Sequence, residues 1–346
     1  MQQNVSLAPL TTLRIGGPAR FLAHIDTELA LLEAVAFARS HDLPLFVLGG
    51  GSNLLVADTG FDGVVLHIAL AGPPIITNTP SAIDYTVPAG NDWNALVLSV
   101  CEHGIVGIEC LAGIPGLVGG TPVQNVGAYG QEVADTITHV RALDLPSLEF
   151  VTLTAADCAF SYRRSRFNST DRGRYIVTSV TFRLDPTAAP NLSYADLQKH
   201  FAPSAAAPTP LDVYHAVREI RRRKGMLLVE GDPDCRSAGS FFKNPIVPIE
   251  ALSTLAAALH LEPTAIPNWP SSRGLTKLPA AWLLERAGFH KGYSLGQAGI
   301  SSRHTLALIN RGRATHVDIV ALRNRIQQTV HDRFGIALEQ EPVTLP

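Results

Sequence analysis

Apolar side chains recur with a helical period in five stretches of the sequence. Leu29, Leu32, Val35 and Ala36 fall on one face of a segment running to about Arg39, and Asp26 and Thr27 can cap its start. Trp93, Leu96, Val97 and Val100 mark a second helix, with Asn91 or Asp92 near its cap and Gly104 at its end. Val213, Val217 and Ile220 mark a third, from Leu211 to the basic run Arg221-Arg222-Arg223-Lys224 before Gly225. Residues 279–288 predict a fourth, with proline at its start and glycine at its stop. Ile319, Leu322, Ile326 and Val330 form one stripe of a fifth over 317–330. Apolar or alternating runs at 45–48, 54–56, 64–68 and 84–87 predict strands, and 139–144 with 150–153 predict a hairpin. Residues 174–183 alternate, with Ile176, Thr178, Val180 and Phe182 on one side. The proline- and alanine-rich stretch 186–210 breaks the pattern and places a domain boundary near its end. Helices and strands mixed in this way, without internal repeat, predict an α+β fold.

Two loops interrupt this pattern with glycine. The strand at 45–48 runs into Gly49-Gly50-Gly51-Ser52-Asn53. The spacing is not GxGxxG, and more strand follows rather than a helix, so a dinucleotide-binding βαβ unit is rejected. Taken alone this loop is better explained as an ordinary turn; if it binds phosphate, loop amides do so. The second stretch, 107–133, reads GIECLAGIPGLVGGTPVQNVGAYGQEV. Its glycines allow positive φ and close approach of backbone to a ligand, and successive free N–H groups make anion-binding concavities. Thr121, Gln124, Asn125 and Tyr129 can hydrogen-bond a planar ligand edge, and Ile114, Leu117 and Val123 can line walls. The length and the spaced amides favour a large phosphate-bearing cofactor over a plain surface loop.

Composition narrows the class. A chain of 346 residues is long enough for two or three domains, and 46% hydrophobic with 17% charged residues describes a soluble globular protein. A formal net charge of −2 argues against nucleic acid as a partner. The start of the chain lacks a basic segment followed by an apolar run, and no apolar run approaches membrane-spanning length, so a cytoplasmic protein without membrane contact is expected. Cys101, Cys110, Cys158 and Cys235 form no CxxC pair and suggest reduced, mostly buried thiols. The twelve histidines are scattered, so no metal site is expected.

Three further motifs carry candidate chemistry. Residues 160–167 set Arg163, Arg164 and Arg166 among Phe160, Tyr162 and Phe167. Arginine offers a planar fork for carboxylate or phosphate, although a solvated basic loop explains the run about as well. Residues 237–245, Ser237-Ala238-Gly239-Ser240-Phe241-Phe242-Lys243-Asn244-Pro245, surround a serine with no GxSxG elbow and no nearby histidine, so hydrolase chemistry is poorly supported. Leu338-Glu339-Gln340-Glu341-Pro342 puts an acidic pair near the end of the chain, where solvated residues are the ordinary finding.

In this order the motifs resemble the UDP-N-acetylenolpyruvoylglucosamine reductase family, which carries out the second step of bacterial peptidoglycan precursor synthesis. The likeness extends from about Thr12 to Glu341. Residues 161–167 match Ser-Tyr-Arg-x-Ser-x-Phe, with Asn168 where the family often has lysine; 238–245 match Ala-Gly-Ser-Phe-Phe-Lys-Asn-Pro; 338–341 match Leu-Glu-x-Glu. Residues 299–310 also resemble the family's substrate domain. The resemblance implies an FAD-binding fold of the vanillyl-alcohol-oxidase type in two subdomains, 1–70 and 71–209, and a substrate-binding α+β domain over 210–346. It implies FAD contacts at Gly49, Gly50, Gly51, Ser52, Asn53, Gly113, Pro115, Gly119, Gly120, Thr121, Gln124, Asn125, Gly127, Ala128 and Tyr129. It implies catalytic roles for Arg163 on the enolpyruvyl carboxylate, Ser240 as proton donor and Glu341. Substrate contacts are implied at Tyr162, Lys224, Asn244 and Tyr194, the last in the loop that folds over substrate in one subgroup. NADPH and the enolpyruvyl ether of UDP-N-acetylglucosamine are the implied partners, and a monomer is expected. A flavin oxidase of the same binding fold and a non-catalytic nucleotide-binding protein are the alternatives. Some such oxidases tether flavin through histidine, which 107–133 lacks, and the set Arg163, Ser240 and Glu341 argues against a non-catalytic role.

Overall fold

The computed structural model describes residues 1–203 and 206–346; Ser204 and Ala205, inside the expected break at 186–210, lie outside the described residues. The chain forms two compact units, and each is built from separated segments. The first comprises Met1–Val5, Ala19–Gly50 and Asp62–Arg222, the second Ser6–Pro18, Gly51–Phe61 and Arg223–Pro346.

The first unit holds two larger sheets. One orders its strands Gln2–Ser6, Pro18–Ile25, Phe61–Ile68 and Leu45–Leu48, the last two parallel with Leu45 opposite Val64. The other is antiparallel throughout: Glu149–Thr154, Ile137–Asp144, Tyr175–Leu184, Ile83–Pro88 and Ile75–Asn78. The expected hairpin is the pairing of the first two. Ile176, Thr178, Val180 and Phe182 are buried as their alternation predicts. A register shift between Arg141 and Ala142 lets Val177 turn inward as well. Asp92 is the cap of helix Trp93–Glu102, its carboxylate accepting from Ala95 N at 2.7 Å. Trp93 lies in the core against Phe182 and donates from Nε1 to Leu111 O at 3.1 Å.

Thr27 caps helix Glu28–Ser40, but the buried face is Leu31, Ala34, Val35 and Ala38. The expected stripe was rotated: Leu29 is 66% exposed. The sequence ELALLEAVAFARS is apolar on most sides, so periodicity has no clear phase, and the small alanines decide which face meets the sheet.

The second unit holds the antiparallel strands Ile246–Pro248, Leu275–Lys277 and Trp269–Pro270, a second sheet of Ser294–Leu295, Ala298–Ile300 and Leu308–Asn310, and helices Ala251–Leu259, Ala280–Arg286 and His316–Phe334. The long helix buries Ile319, Leu322, Ile326 and Val330 as its stripe predicts, each contributing roughly 1.5–3 kcal/mol of burial. A Thr315–Asp318 capping box starts it and Gly335, at φ 67°, stops it.

Unit membership departs from boundaries at 70 and 209. Leu13, Ile15 and Leu55 pack in the second core with Phe241, Leu283 and Ile319. Thr12 Oγ1 donates to Ser237 O at 2.6 Å, and Asn310 Nδ2 to Leu13 O at 3.0 Å. Conversely, helix Pro210–Arg223 buries Val213, Val217 and Ile220 in the first core.

Candidate active site

The glycine-rich segment 107–133 is a string of turns nailed to the start of helix Trp93–Glu102. Trp93 N donates to Gly116 O at 3.1 Å, Val118 N to Asn91 O at 2.9 Å, and Gly119 N to Ala89 O at 2.9 Å. Gly113 N donates to Asn94 Oδ1 at 2.7 Å. Pro115 is half-buried within this run. A Cβ on Gly119 would lie 2.6 Å from Ala89 Cβ, and one on Gly50 2.8 Å from Gly116 Cα, so these glycines let backbones touch. Gly49 and Gly120 differ. A Cβ on Gly120 would meet nothing within 4 Å, and one on Gly49 only Leu117 Cδ1 at 4.0 Å. Packing does not require glycine there; a ligand approaching the backbone would.

These open backbone positions fit FAD in kind. Among the described residues, the amides of Gly49, Gly50 and Gly51 donate to no loop or turn carbonyl. Gly51, at φ 61°, presses on Leu10 O, and it begins the second-unit part of the loop with Ser52 and Asn53. Gln124 is half-buried with no side-chain partner among the described residues. Thr121 and Asn125 are less available. Thr121 Oγ1 donates to Val118 O at 2.8 Å. Asn125 Nδ2 donates to Glu132 Oε2 at 2.7 Å and Ser161 O at 3.0 Å, and its Oδ1 accepts from Ala134 N at 3.1 Å. Their side chains build the loop rather than reach out of it. Gly127 and Ala128 form a two-residue ladder with Gln131 and Glu132.

The arginine turn joins this loop. Arg163, at φ 54°, sits in a tight turn closed by reciprocal bonds between Ser161 and Arg164. Its Nη2 donates to Gly127 O at 2.7 Å, and its guanidinium carbon lies 5.3 Å from the Tyr162 ring centre. Asn168, where the family often has lysine, locks the turn: Nδ2 donates to Arg163 O at 3.2 Å and Oδ1 accepts from Ser165 N at 3.0 Å.

Tyr129, at φ 49°, meets Tyr194 edge-on with ring centres 5.2 Å apart. It also shares a hydrogen bond with Arg221, whose Nε donates to Gly113 O at 3.1 Å. Burial pulls the Arg221 pKa below the usual arginine value, while the Tyr129 contact works against that shift. Arg218, one turn earlier, donates from Nη1 to Asn94 Oδ1 at 3.1 Å. The three-residue spacing of Arg218 and Arg221 puts both on the face toward the glycine-rich segment, so Arg221, the first residue of the basic run, does more than complement the helix dipole.

In the second unit, two distant motifs lie side by side. Glu341 N donates to Phe241 O at 2.9 Å, Lys243 N to Glu339 O at 2.9 Å, and Phe242 bridges Gln340. Phe241 and Phe242 are fully buried and hold the segment down, while Ser240 between Gly239 and Phe241 is half-buried. Asn53 Nδ2 donates to Glu341 O at 3.4 Å. The tail is pinned further by strand Val343–Leu345, parallel to Leu54–Val56, so Glu341 is anchored although the chain ends soon after. Lys243 pairs with Glu339, not with Ser240. Asn244 Oδ1 accepts from Ala280 N at 2.9 Å at the start of helix Ala280–Arg286, a structural task beside any substrate contact. Lys224 is half-buried just past helix Pro210–Arg223. A cavity of about 420 Å³ in the first unit, lined by Glu28, Leu70, Thr86 and Thr178 among others, contains none of the expected site residues.

Comparison with known proteins decides the family. Residues 232–345 match the model of the UDP-N-acetylenolpyruvoylglucosamine reductase C-terminal domain, and 19–154 match an FAD-binding domain. A UDP-N-acetylenolpyruvoylglucosamine reductase of Streptomyces coelicolor is 46% identical, covering 98% of this chain and 88% of the relative. The chain belongs to the UDP-N-acetylenolpyruvoylglucosamine reductase family. The reductase of Thermobifida fusca is 44% identical over 99% of this chain and 97% of its own. The crystal structure of the Thermus caldophilus reductase superposes with a TM-score of 0.66 at 27% identity, covering 99% and 98% of the two chains. The α+β class and an FAD cofactor expected from the sequence agree with these findings.

Proposed function

We propose that this protein reduces the enolpyruvyl ether of UDP-N-acetylglucosamine to UDP-N-acetylmuramate with NADPH, a step of peptidoglycan precursor synthesis, and works as a cytoplasmic monomer. Family membership along the whole chain supports the reading. The observation that carries it is the pairing of the Ser240 and Glu341 segments through Glu341 N and Phe241 O. An unrelated use of either motif would not require the two to meet.

FAD, when bound, would supply the redox chemistry, hydride transfer from NADPH to C3 of the enolpyruvyl group. Gly49–Asn53 and the segment around Gly113–Tyr129 would hold it, chiefly through backbone amides and the Gln124 side chain. Arg163 holds the enolpyruvyl carboxylate, and Arg163 together with Glu341, the latter donating as the neutral acid, stabilises the enolate. A preorganised charge-assisted contact is worth most there because it strengthens as the enolate forms. Ser240 Oγ gives its proton to C2. Tyr162, Tyr194, Lys224 and Asn244 bind the sugar nucleotide. Residues 1–209 thus serve mainly the cofactor and 210–346 mainly the substrate.

Anaerobic titration tests the reaction. NADPH should bleach the flavin absorbance, and one equivalent of the enolpyruvyl sugar nucleotide should restore it. Protein that stays bleached with that substrate but recovers at once in air would be an oxidase instead.

A further inference from the structure

A carboxylate lies in the core of the first unit where the proposed mechanism uses none. Glu109 is 1% exposed. Its Oε2 accepts from Gly107 N at 2.7 Å, and its Oε1 from Gln131 Nε2 and Asn191 N, each at 2.9 Å. All three donors are neutral. Gln131 is fixed in turn, its Oε1 accepting from Cys110 N at 2.8 Å. Asn191 adds its own ties: Nδ2 donates to Gly130 O at 3.0 Å, Oδ1 accepts from Ser193 N at 2.9 Å, and its carbonyl accepts from Cys110 Sγ at 3.2 Å. Directly beyond this clasp stands Tyr194, 40% exposed and edge-on to Tyr129.

Burying a carboxylate is unfavourable unless its oxygens are fully hydrogen-bonded. The residue type has a geometric reason here. A carboxylate has two acceptor oxygens and no donor, so it can accept from three N–H groups of three chain segments together. An amide at the same place would turn its NH₂ against one of them. The clasp joins both ends of the glycine-rich segment to the loop that carries Tyr194.

We propose that Glu109 is a positioning residue that seats the base of the Tyr194 loop, and so sets affinity for the sugar nucleotide without touching it. The proposal rests on the reading that Tyr194 meets substrate.

Two variants test it from opposite sides, Glu109→Gln in the core and Asn191→Ala on the loop. Each is measured for half-reactions, steady-state constants and amide hydrogen exchange across residues 192–198, alone and with Tyr194→Ala. Glu109→Gln turns an NH₂ against one of the three N–H groups, and Asn191→Ala keeps its backbone N–H on Glu109 but loses the side-chain bonds to Gly130 O and Ser193 N; both should raise KM for the sugar nucleotide about ten-fold, with kcat and NADPH bleaching nearly unchanged. Exchange should quicken across 192–198, and in the Tyr194→Ala background KM should rise no further. Additive increases in KM, colourless protein or slowed bleaching would overturn the proposal, because Glu109 would then act through the glycine-rich segment. If Tyr194→Ala alone leaves KM normal, the assignment of Tyr194 has failed, and exchange judges the clasp alone: faster exchange in both variants supports it, unchanged exchange overturns it.

Discussion

Asn125, Tyr129 and Arg163 hold left-handed backbone conformations at φ 43°, 49° and 54°. Each such residue costs on the order of 1 kcal/mol or more, and surrounding bonds must hold it. Here Asn125 reaches Ser161 O and Arg163 reaches Gly127 O, so the glycine-rich loop and the arginine turn brace one another. The residue types were legible as chemistry in the sequence, but tyrosine and arginine give no local signal for positive φ. The double duty of Arg163 sharpens a prediction. Arg163→Lys should lower kcat/KM by roughly 10–100-fold, since a point charge replaces a fork and about 1.5–3 kcal/mol of charge-assisted contact is lost. Near-normal turnover would leave Arg163 with its bracing contact to Gly127 alone and no part in holding substrate. Gly50→Val should give protein that is folded by circular dichroism and colourless, because its Cβ would sit 2.8 Å from Gly116 Cα and push the two loops apart. Full flavin content in that variant would contradict the placement.

Elements with a clean period were readable from the sequence, down to the stripe Ile319, Leu322, Ile326 and Val330. Helix Glu28–Ser40 was readable as a helix but not in phase, since its neighbours, not its pattern, choose the buried face. The partners of the Ser240 and Glu341 segments were not readable either. Arg323 donates from Nη1 to Gln340 Oε1 at 2.9 Å, and Gln327 Nε2 to Leu338 O at 2.7 Å, so the long helix holds the tail that carries Glu341. A second clasp holds the approach to Ser240. Arg303 pairs with Asp232 and with Asp234, the latter at 3.1 Å, and Ser302 Oγ donates to Asp234 Oδ2 at 2.7 Å. Burial alone would raise the Asp234 pKa, but hydrogen bonds from Ser302, Ser301 and Arg303 prevail and hold it below the usual aspartate value. A depressed folded pKa adds stability above the unfolded value that disappears as pH falls through the folded one. Asp234→Asn should therefore lower the urea midpoint near neutral pH, by roughly 1.5–3 kcal/mol of stability. The gap to the wild type should narrow as pH drops below the usual aspartate range. A gap independent of pH would show that the clasp acts by packing alone.

At the scale of the whole molecule, the order of motifs was legible and the membership of the two cores was not. Nothing local in 6–18 or 51–61 announces that Leu13 and Leu55 belong with Phe241; long-range packing decides it. The consequence is that the candidate site residues are divided between the two units. The glycine-rich segment and Arg163 belong to the first unit, and Ser240 with Glu341 to the second. On the proposed mechanism, the proton is needed only after hydride has reached the substrate. Stopped-flow absorbance of both half-reactions in Ser240→Ala tests this most directly. Bleaching by NADPH should proceed at nearly the wild-type rate. Reoxidation by the enolpyruvyl sugar nucleotide should slow by about 10²–10⁴-fold, the usual loss for a positioned general acid. Equal slowing of both half-reactions, or of neither, would contradict the assignment of Ser240 as the proton donor.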